Sequence, residues 1–413
     1  MKPETEKNRA RSKKNIALLS IMLIVVLSLA AGKLDDFYGK IADKDLGGDF
    51  FEYWAAGRLL LLGNNPYSPD QLLNMQLSAG FAKEKPIIMY NPPWALTFIL
   101  PFCWQNYFHG KFLWLFFNFA LVLFCSDLAW RLYGGSYQHR AWALILAFTF
   151  IPTLFMINMG QIVPMILLGV VGFLYLAKQR RYGLIGIPAV LIAIKPHTLY
   201  LFWIALLVWT LDRRYWWVIG SCAASFLAAM IIPLTFSVNI LNQNIGCLRN
   251  HSPFYWATPS GGTALRLIFG VEKLWLPFLP ALLGVAWFLI YYSRNRKTWE
   301  WNQHVPLVLL VSVMTAPFAW TWDYPVLLPV IMQVAVALFH GKKRRIATAG
   351  ILFYFAINGV ALILHVLLPA DHLFFWMVPA LLASYLILMH APATATTTSS
   401  KTSRTNTEWK TFL

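Results

Sequence analysis

Charged side chains are scarce in this sequence: only 12% of the 413 residues are charged, whereas 58% are hydrophobic. So few charges cannot cover the surface of a water-soluble protein of this length. Apolar runs long enough to cross a bilayer recur from Ile16 to the end of the chain. The pattern predicts an all-α polytopic membrane protein with about 12 transmembrane helices, in the range of about 11–13.

Several catalytic signatures are also missing. The sequence contains no Walker motif, no glycine-rich dinucleotide loop and no serine-hydrolase elbow. Its four cysteines show neither paired nor metal-ligand spacing. We therefore expect no resident metal and no cofactor. No segment looks like a cytosolic domain for a nucleotide sugar, which favours a lipid-linked substrate.

Acidic residues number 17 against 34 Lys and Arg, and the basic residues concentrate in residues 1–15 and in short loops. This is the positive-inside pattern, and it argues against nucleic-acid binding. It predicts a multi-pass protein of the cell inner (plasma) membrane with both termini in the cytosol. We expect a cytosolic basic arm (1–15), a single transmembrane domain (16–391) and a disordered Thr/Ser-rich tail (392–413).

Two loops, 33–91 and 237–262, are predicted to be external, which means periplasmic in a bacterium. The first holds eight of the 17 acidic residues, so it is a candidate site and not a simple connector. We expect a helix from Phe50 to Leu62 to lie along the membrane surface, with Leu59 to Leu62 burying its apolar side. The apolar segment Pro92 to Trp104 is short, and both a full span and a re-entrant segment remain open.

Asp49 allows two interpretations. It follows two glycines and precedes the predicted helix, so it could be the N-cap, with Glu52 completing a capping box. Alternatively, Asp49 is a catalytic base that accepts a proton from an attacking hydroxyl group. Glu52 and Tyr53 lie one turn away, where they could position an acceptor.

Lys195 stands between two short apolar segments and is followed by His197. It either snorkels to the membrane interface or stabilises the negative charge that grows on a phosphate leaving group. In the second case Lys195→Ala should weaken donor use without unfolding the protein. Gln161, at a break after Gly160, could bond sugar hydroxyls. The remaining substrate-binding candidates are Arg58, Arg249, His251, Arg266, Trp320 and Asp323.

These residues also have interpretations without a functional role. Arg249 and His251 could belong to an ordinary solvated loop, and Asp323 could make a local hydrogen bond or serve as an N-cap. In the functional interpretation, an arginine of the second external loop binds the phosphate together with Lys195. We then expect Lys195 to lie within phosphate reach of at least one of Arg249, His251 and Arg266.

Six short motifs occur in a characteristic order: DFFEYWAA (49–56), NPY (65–67), YNPPW (90–94), GQIVP (160–164), IKP (194–196) and APFAW (316–320). Together they resemble glycosyltransferase family 87, whose better-known members are polyprenol-phosphate-mannose-dependent mannosyltransferases of GT-C architecture. The resemblance implies a GT-C fold, a lipid-phosphate sugar donor, an external active site and a catalytic aspartate at Asp49. Family members often have a histidine shortly after the late tryptophan, where this chain has Trp322-Asp323-Tyr324, so a different sugar is possible.

The leading hypothesis is a membrane glycosyltransferase that transfers a hexose, mannose first, from a polyprenyl-phosphate sugar to an external lipid or glycan acceptor, with inversion. Its expected partners are that donor, the acceptor and membrane lipids, and it is expected to be a monomer. Three alternatives remain: a transporter or flippase of lipid-linked sugars, an oligosaccharide ligase or polymerase that uses lipid pyrophosphate donors, and a non-catalytic scaffold.

Overall fold

The computed structural model describes residues 48–252, 256–341, 344–368 and 371–390. The predicted basic arm (1–15), the first predicted span (16–31) and the tail (392–413) lie outside these ranges. So does the part of the acidic loop before Gly48.

The described ranges contain helices and no strand, which confirms the all-α prediction. Proline in the first turn begins several helices, for example Pro69, Pro93 and Pro164, because its fixed φ suits a helix start. The α-helices are α1 (Phe50–Leu61), α2 (Pro69–Ser78), α3 (Pro93–Cys103), α4 (Tyr107–Leu132), α5 (Ala141–Thr149), α6 (Ile151–Met159), α7 (Val163–Lys178), α8 (Gly186–Ile192), α9 (Tyr200–Arg213), α10 (Trp216–Phe236), α11 (Ile240–Asn250), α12 (Gly261–Phe269), α13 (Phe278–Asn295), α14 (Trp301–Thr315), α15 (Leu328–His340), α16 (Arg344–Leu367) and α17 (Met377–His390).

Among the described residues, five helices are long and apolar enough to cross a membrane, or six if α5 and α6 form one span bent by 61°. The five are Tyr107–Leu132, Trp216–Phe236, Thr321–His340, Arg345–Leu367 and Asp371–Met389. Helices α3 and α7 are apolar but shorter, so α3 suits a re-entrant segment better than a full span. The expected total of about 12 spans stays a prediction.

Helix α1 is buried on almost every side, more deeply than Leu59 to Leu62 alone would predict. It packs against α3 and α4. Gly57 permits this approach, because a Cβ there would overlap the Cys103 side chain. Phe51 stacks on Tyr107 with ring centroids 4.2 Å apart. This packing fixes the helix N-terminus, and with it Asp49, against the helical body.

Two breaks between helices place polar residues in the interior of the protein. The first follows α6, where Gly160 takes the left-handed conformation (φ 66°), and α7 starts at Val163. Two α4 side chains hold this break: Trp114 Nε1 donates to the Gly160 carbonyl at 2.7 Å, and Asn118 Nδ2 donates to the Gln161 carbonyl at 3.0 Å. These bonds satisfy carbonyls that no helix can satisfy, so the position of Gln161 is fixed.

The second break separates α8 from α9 and contains Lys195 and His197. Ser312 of α14 anchors it, since its Oγ donates to the Thr198 carbonyl at 3.0 Å and accepts from the Leu201 N–H at 3.2 Å. Both breaks therefore depend on buried side chains from neighbouring helices.

Candidate active site

A cavity of about 920 Å³ lies between the start of α1, the two breaks, α11 and the segment 317–323. Its volume falls within the usual range for ligand pockets. Eight of the twelve site residues predicted from the sequence line it: Asp49, Glu52, Tyr53, Gln161, Lys195, His197, Trp320 and Asp323.

Asp49 does not use its side chain to cap α1. Its carboxylate makes no capping hydrogen bond, and its backbone is already helical (φ −74°, ψ −14°). The predicted capping box with Glu52 is therefore wrong. The Asp49 N–H donates to the Met159 carbonyl at 2.9 Å, and its carboxylate accepts a hydrogen bond from Gln161 Nε2. These contacts turn the carboxylate away from its own helix and towards the cavity wall.

Gln161 joins the carboxylate to a cation. While its Nε2 donates to Asp49, its Oε1 accepts from Tyr53 OH at 3.2 Å and from Lys195 Nζ at 2.9 Å. An amide has one donor end and one acceptor end, and here each end meets complementary partners. The side chain of Gln161 therefore sets the relative positions of Asp49, Tyr53 and Lys195.

Lys195 also forms a buried ion pair with Asp323, with Nζ and Oδ1 2.7 Å apart. The side chains are 13% and 2% exposed, so Lys195 does not snorkel to an interface. The second carboxylate oxygen of Asp323 accepts the Trp320 N–H at 3.0 Å. Asp323 thus makes the predicted local hydrogen bond and also compensates the charge of Lys195.

Burial sets the charge states of the other ionisable groups. It raises the pKa of Asp49 to about 6, although the charge of Lys195 and the hydrogen bond from Gln161 partly offset the rise. Burial, and then the charge of Asp49, raises the pKa of Glu52 well above its usual value. His197 opens onto the cavity but is surrounded by protein, and this desolvation lowers its pKa to about 4. At neutral pH, Asp49 is therefore largely ionised and His197 is uncharged, while the raised pKa of Glu52 favours its protonated form.

The other four predicted site residues do not line the cavity. Arg58 donates to the Trp104 carbonyl at 3.3 Å, and Arg266 donates to the Val271 carbonyl at 2.6 Å and 2.9 Å. Helix α11 presents Asn244 and Leu248 to the cavity, while Arg249 and His251, at its end, are exposed. None of Arg249, His251 and Arg266 lines the cavity, so the expectation that one of them lies within phosphate reach of Lys195 stays a prediction.

The cavity also has an aromatic wall, defined here as Tyr90, Trp256, Trp320 and Trp322. The rings of Trp320 and Trp322 are stacked, with centroids 4.8 Å apart and planes inclined by 10°. Trp256 lies 5.7 Å from Trp320, and Tyr90 lies edge-on to Trp256 at 5.0 Å. The sequence pointed to Trp320 as a site residue, and the structure adds its three neighbours.

The part of the chain that the structure describes bears on the expectations for metal ligands and cysteines. There, no group of three or more His, Cys, Asp and Glu residues could hold a metal ion. The four cysteines are free, and Cys103, Cys125 and Cys247 are buried. The side chains that line the cavity include carboxylates, amides, lysines, the His197 imidazole and aromatic rings.

The family model of glycosyltransferase family 87 matches residues 89–317, more than half of the chain. The chain belongs to glycosyltransferase family 87. Comparisons with curated proteins and with solved structures give no significant match. The family 87 match contains Gln161, Lys195 and His197, whereas Asp49 precedes it and Asp323 follows it.

Membership of family 87 confirms the resemblance found in the sequence. It identifies the protein as a membrane glycosyltransferase, with a sugar donor and an acceptor as its substrates. The cavity, which joins a carboxylate, an amide and aromatic rings, offers the groups that sugar recognition requires.

Proposed function

We propose that the protein transfers a hexose, mannose first, from a polyprenyl-phosphate sugar to a lipid or glycan acceptor, with inversion. The site faces the outside of the cell inner membrane, both termini are cytosolic, and the protein acts as a monomer. The catalytic domain has GT-C architecture and spans residues 16–391. One observation carries the proposal: the Asp49 carboxylate lines the cavity and does not cap its helix. A pKa of about 6 keeps it largely ionised at neutral pH.

In the proposed reaction, the acceptor hydroxyl oxygen attacks the anomeric carbon of the donor sugar while its proton passes to Asp49. The bond between the anomeric carbon and the phosphate oxygen breaks, and the lipid phosphate leaves with the electron pair. A single displacement of this kind inverts the configuration at the anomeric carbon. Asp49 is returned to its ionised form when its proton is released to water.

Gln161, Lys195 and Asp323 act as positioning residues in this proposal. The chain of hydrogen bonds from Asp323 through Lys195 and Gln161 reaches Asp49, so each side chain restricts the next. A base held within a few tenths of an ångström of its working position contributes more than a mobile one. The aromatic wall supplies flat apolar surfaces on which a sugar ring can stack.

The cavity lining supports a lipid donor, because Trp322 and Asp323 stand at the start of the candidate span Thr321–His340. In the proposal, the sugar of the polyprenyl phosphate enters the cavity while its hydrocarbon chain stays in the bilayer. The test uses purified protein in lipid nanodiscs and one labelled hexose on three donors: polyprenyl phosphate, polyprenyl pyrophosphate and a nucleotide diphosphate. We expect transfer from the monophosphate alone. Transfer only from the pyrophosphate would instead identify a ligase or polymerase.

The rate should depend on pH through Asp49. Because burial raises the pKa of Asp49 to about 6, the base is ionised above that pH and protonated below it. Turnover at saturating substrate should therefore rise about tenfold for each pH unit below about 6 and level off above it. The residual rate of Asp49→Asn should lack this rise. A wild-type rate that stays flat through the same range would contradict Asp49 as the base.

A further inference from the structure

Two lysines line the cavity without a role in the network around Gln161. Lys83 and Lys85 lie between α2 and α3, and both side chains are exposed and contribute to the cavity wall. Within the described ranges, neither ammonium forms an ion pair. They were not singled out from the sequence, where they resemble ordinary solvated loop lysines.

The segment that carries these lysines is anchored on both sides. Before it, the ring of Phe81 is buried and packs 5.1 Å from the ring of Phe51 in α1. After it, the buried side chain of Gln76 holds both backbone groups of Ile87, donating to the carbonyl at 2.7 Å and accepting from the N–H at 3.0 Å. The segment 82–86 is therefore held at both ends beside the cavity, and its two lysines line the cavity wall.

The other basic groups on the wall do not supply free positive charge. Lys195 is compensated by Asp323 at 2.7 Å. His197 is uncharged at neutral pH because burial lowers its pKa to about 4. Among the described lining residues, Lys83 and Lys85 are thus the cations that form no ion pair with a carboxylate. The charge of Lys83 also acts on Asp49, because it contributes to lowering the pKa of that carboxyl group.

We propose that Lys83 and Lys85 bind the phosphate of the sugar donor and stabilise it as a leaving group. This inference rests on the proposed function. A phosphodiester carries one negative charge, and the lipid phosphate gains a second when the bond to the anomeric carbon breaks and the electron pair moves to the phosphate oxygen. Two ammonium groups match that final charge, and stabilisation that grows along the reaction accelerates it. Lys195 then acts through Gln161 and does not hold the phosphate.

The test is the double variant Lys83→Gln/Lys85→Gln, assayed in nanodiscs with a polyprenyl-phosphate sugar. We expect the KM for the donor to rise at least tenfold and kcat to fall, while the KM for the acceptor stays unchanged. Lys83→Arg/Lys85→Arg should restore much of the loss. Lys273→Gln is the matched control, because Lys273 is an exposed loop lysine that does not line the cavity. Thermal unfolding of all variants verifies that the fold is retained.

A binding measurement makes the inference independent of turnover. Farnesyl phosphate should quench the tryptophan fluorescence of the wild-type protein and bind the double Gln variant at least tenfold more weakly. Equal binding and equal donor kinetics in the two proteins would overturn the inference. Failure of the proposed function would look different, since the wild-type protein itself would then transfer no sugar from polyprenyl phosphate.

Membrane phospholipids carry the same phosphate chemistry, so the assay is repeated in nanodiscs with and without phosphatidylglycerol. If the lysines hold the donor, the variant is impaired equally in both. A defect that occurs only with the anionic lipid would assign the lysines to lipid headgroups and overturn the inference.

Discussion

Asp49→Asn is expected to lower turnover by roughly a hundred-fold or more, in line with the usual contribution of a general base. Asparagine has nearly the shape of aspartate and can still accept a hydrogen bond from Gln161, but it cannot take a proton at neutral pH. Donor binding should survive, because the donor phosphate gains nothing from a carboxylate. Single-turnover rates and farnesyl phosphate binding, measured on the same preparation, separate the two effects.

The same variant should be at least as stable as the wild-type protein. The folded state raises the pKa of Asp49 from 3.8 to about 6, so at neutral pH the ionised carboxylate is less favourable in the folded protein than in the unfolded chain. Asparagine removes that cost. We therefore expect the Tm in detergent to stay unchanged or to rise while turnover is lost. A lower Tm together with lost activity would instead indicate a structural role for Asp49.

Glu52→Gln is the control for this experiment. Burial, and then the charge of Asp49, raises the pKa of Glu52 and so favours its protonated form, which glutamine resembles. Its turnover should therefore stay close to that of the wild-type protein. Loss of activity in Glu52→Gln, with retention in Asp49→Asn, would move the base to Glu52. Retention of activity in both would leave the cavity without an identified base.

Lys195→Met is expected to destabilise the fold by about 3–5 kcal/mol, because it leaves the carboxylate of Asp323 buried without its cation. This replaces the expectation from sequence that a Lys195 variant weakens donor use and leaves the fold intact. The structure changes the expectation, since the two side chains are 13% and 2% exposed and 2.7 Å apart. The free energy of unfolding, measured by denaturant titration in detergent micelles, checks the value.

A second substitution should separate stability from activity at this pair. Lys195→Met/Asp323→Asn removes both charges, so most of the lost stability should return. Turnover should stay low, because Gln161 has lost the ammonium that positions its amide oxygen. If Lys195→Met alone is as stable as the wild-type protein, the pair is solvated and the positioning argument is wrong.

Much of the fold follows directly from the sequence. The apolar run Trp216–Phe236 is a helix with those bounds in the structure, because polar loops limit it on both sides. Lys195 and Gln161 could also be recognised as site residues from the sequence. Burying a polar residue at a break between apolar segments costs free energy, so such a residue is a candidate for a functional role. In both cases a local feature, apolar length or an isolated polar group, carries the information.

The partners of these residues could not be predicted in the same way. Asp323 is 128 positions from Lys195, and no local pattern connects them. The capping box at Asp49 has the correct spacing, but Gln161 competes for the carboxylate from a distant part of the chain. Arg249 has the right charge in a loop predicted to be external, yet the direction in which it points depends on the packing of α11. The spacing of residues in the sequence shows which side chains are neighbours on one helix. A cavity is formed by side chains from several helices, so spacing alone does not predict its lining.

The most direct test of the central claim follows both products of one reaction. Purified protein in nanodiscs receives a polyprenyl-phosphate hexose that is labelled in the sugar and in the lipid, together with an acceptor glycolipid. We predict that each sugar transferred releases one polyprenyl phosphate, and that NMR of the product shows the anomeric configuration inverted relative to the donor. Movement of the intact double-labelled lipid without release of polyprenyl phosphate, or a product that retains the donor configuration, would contradict the account.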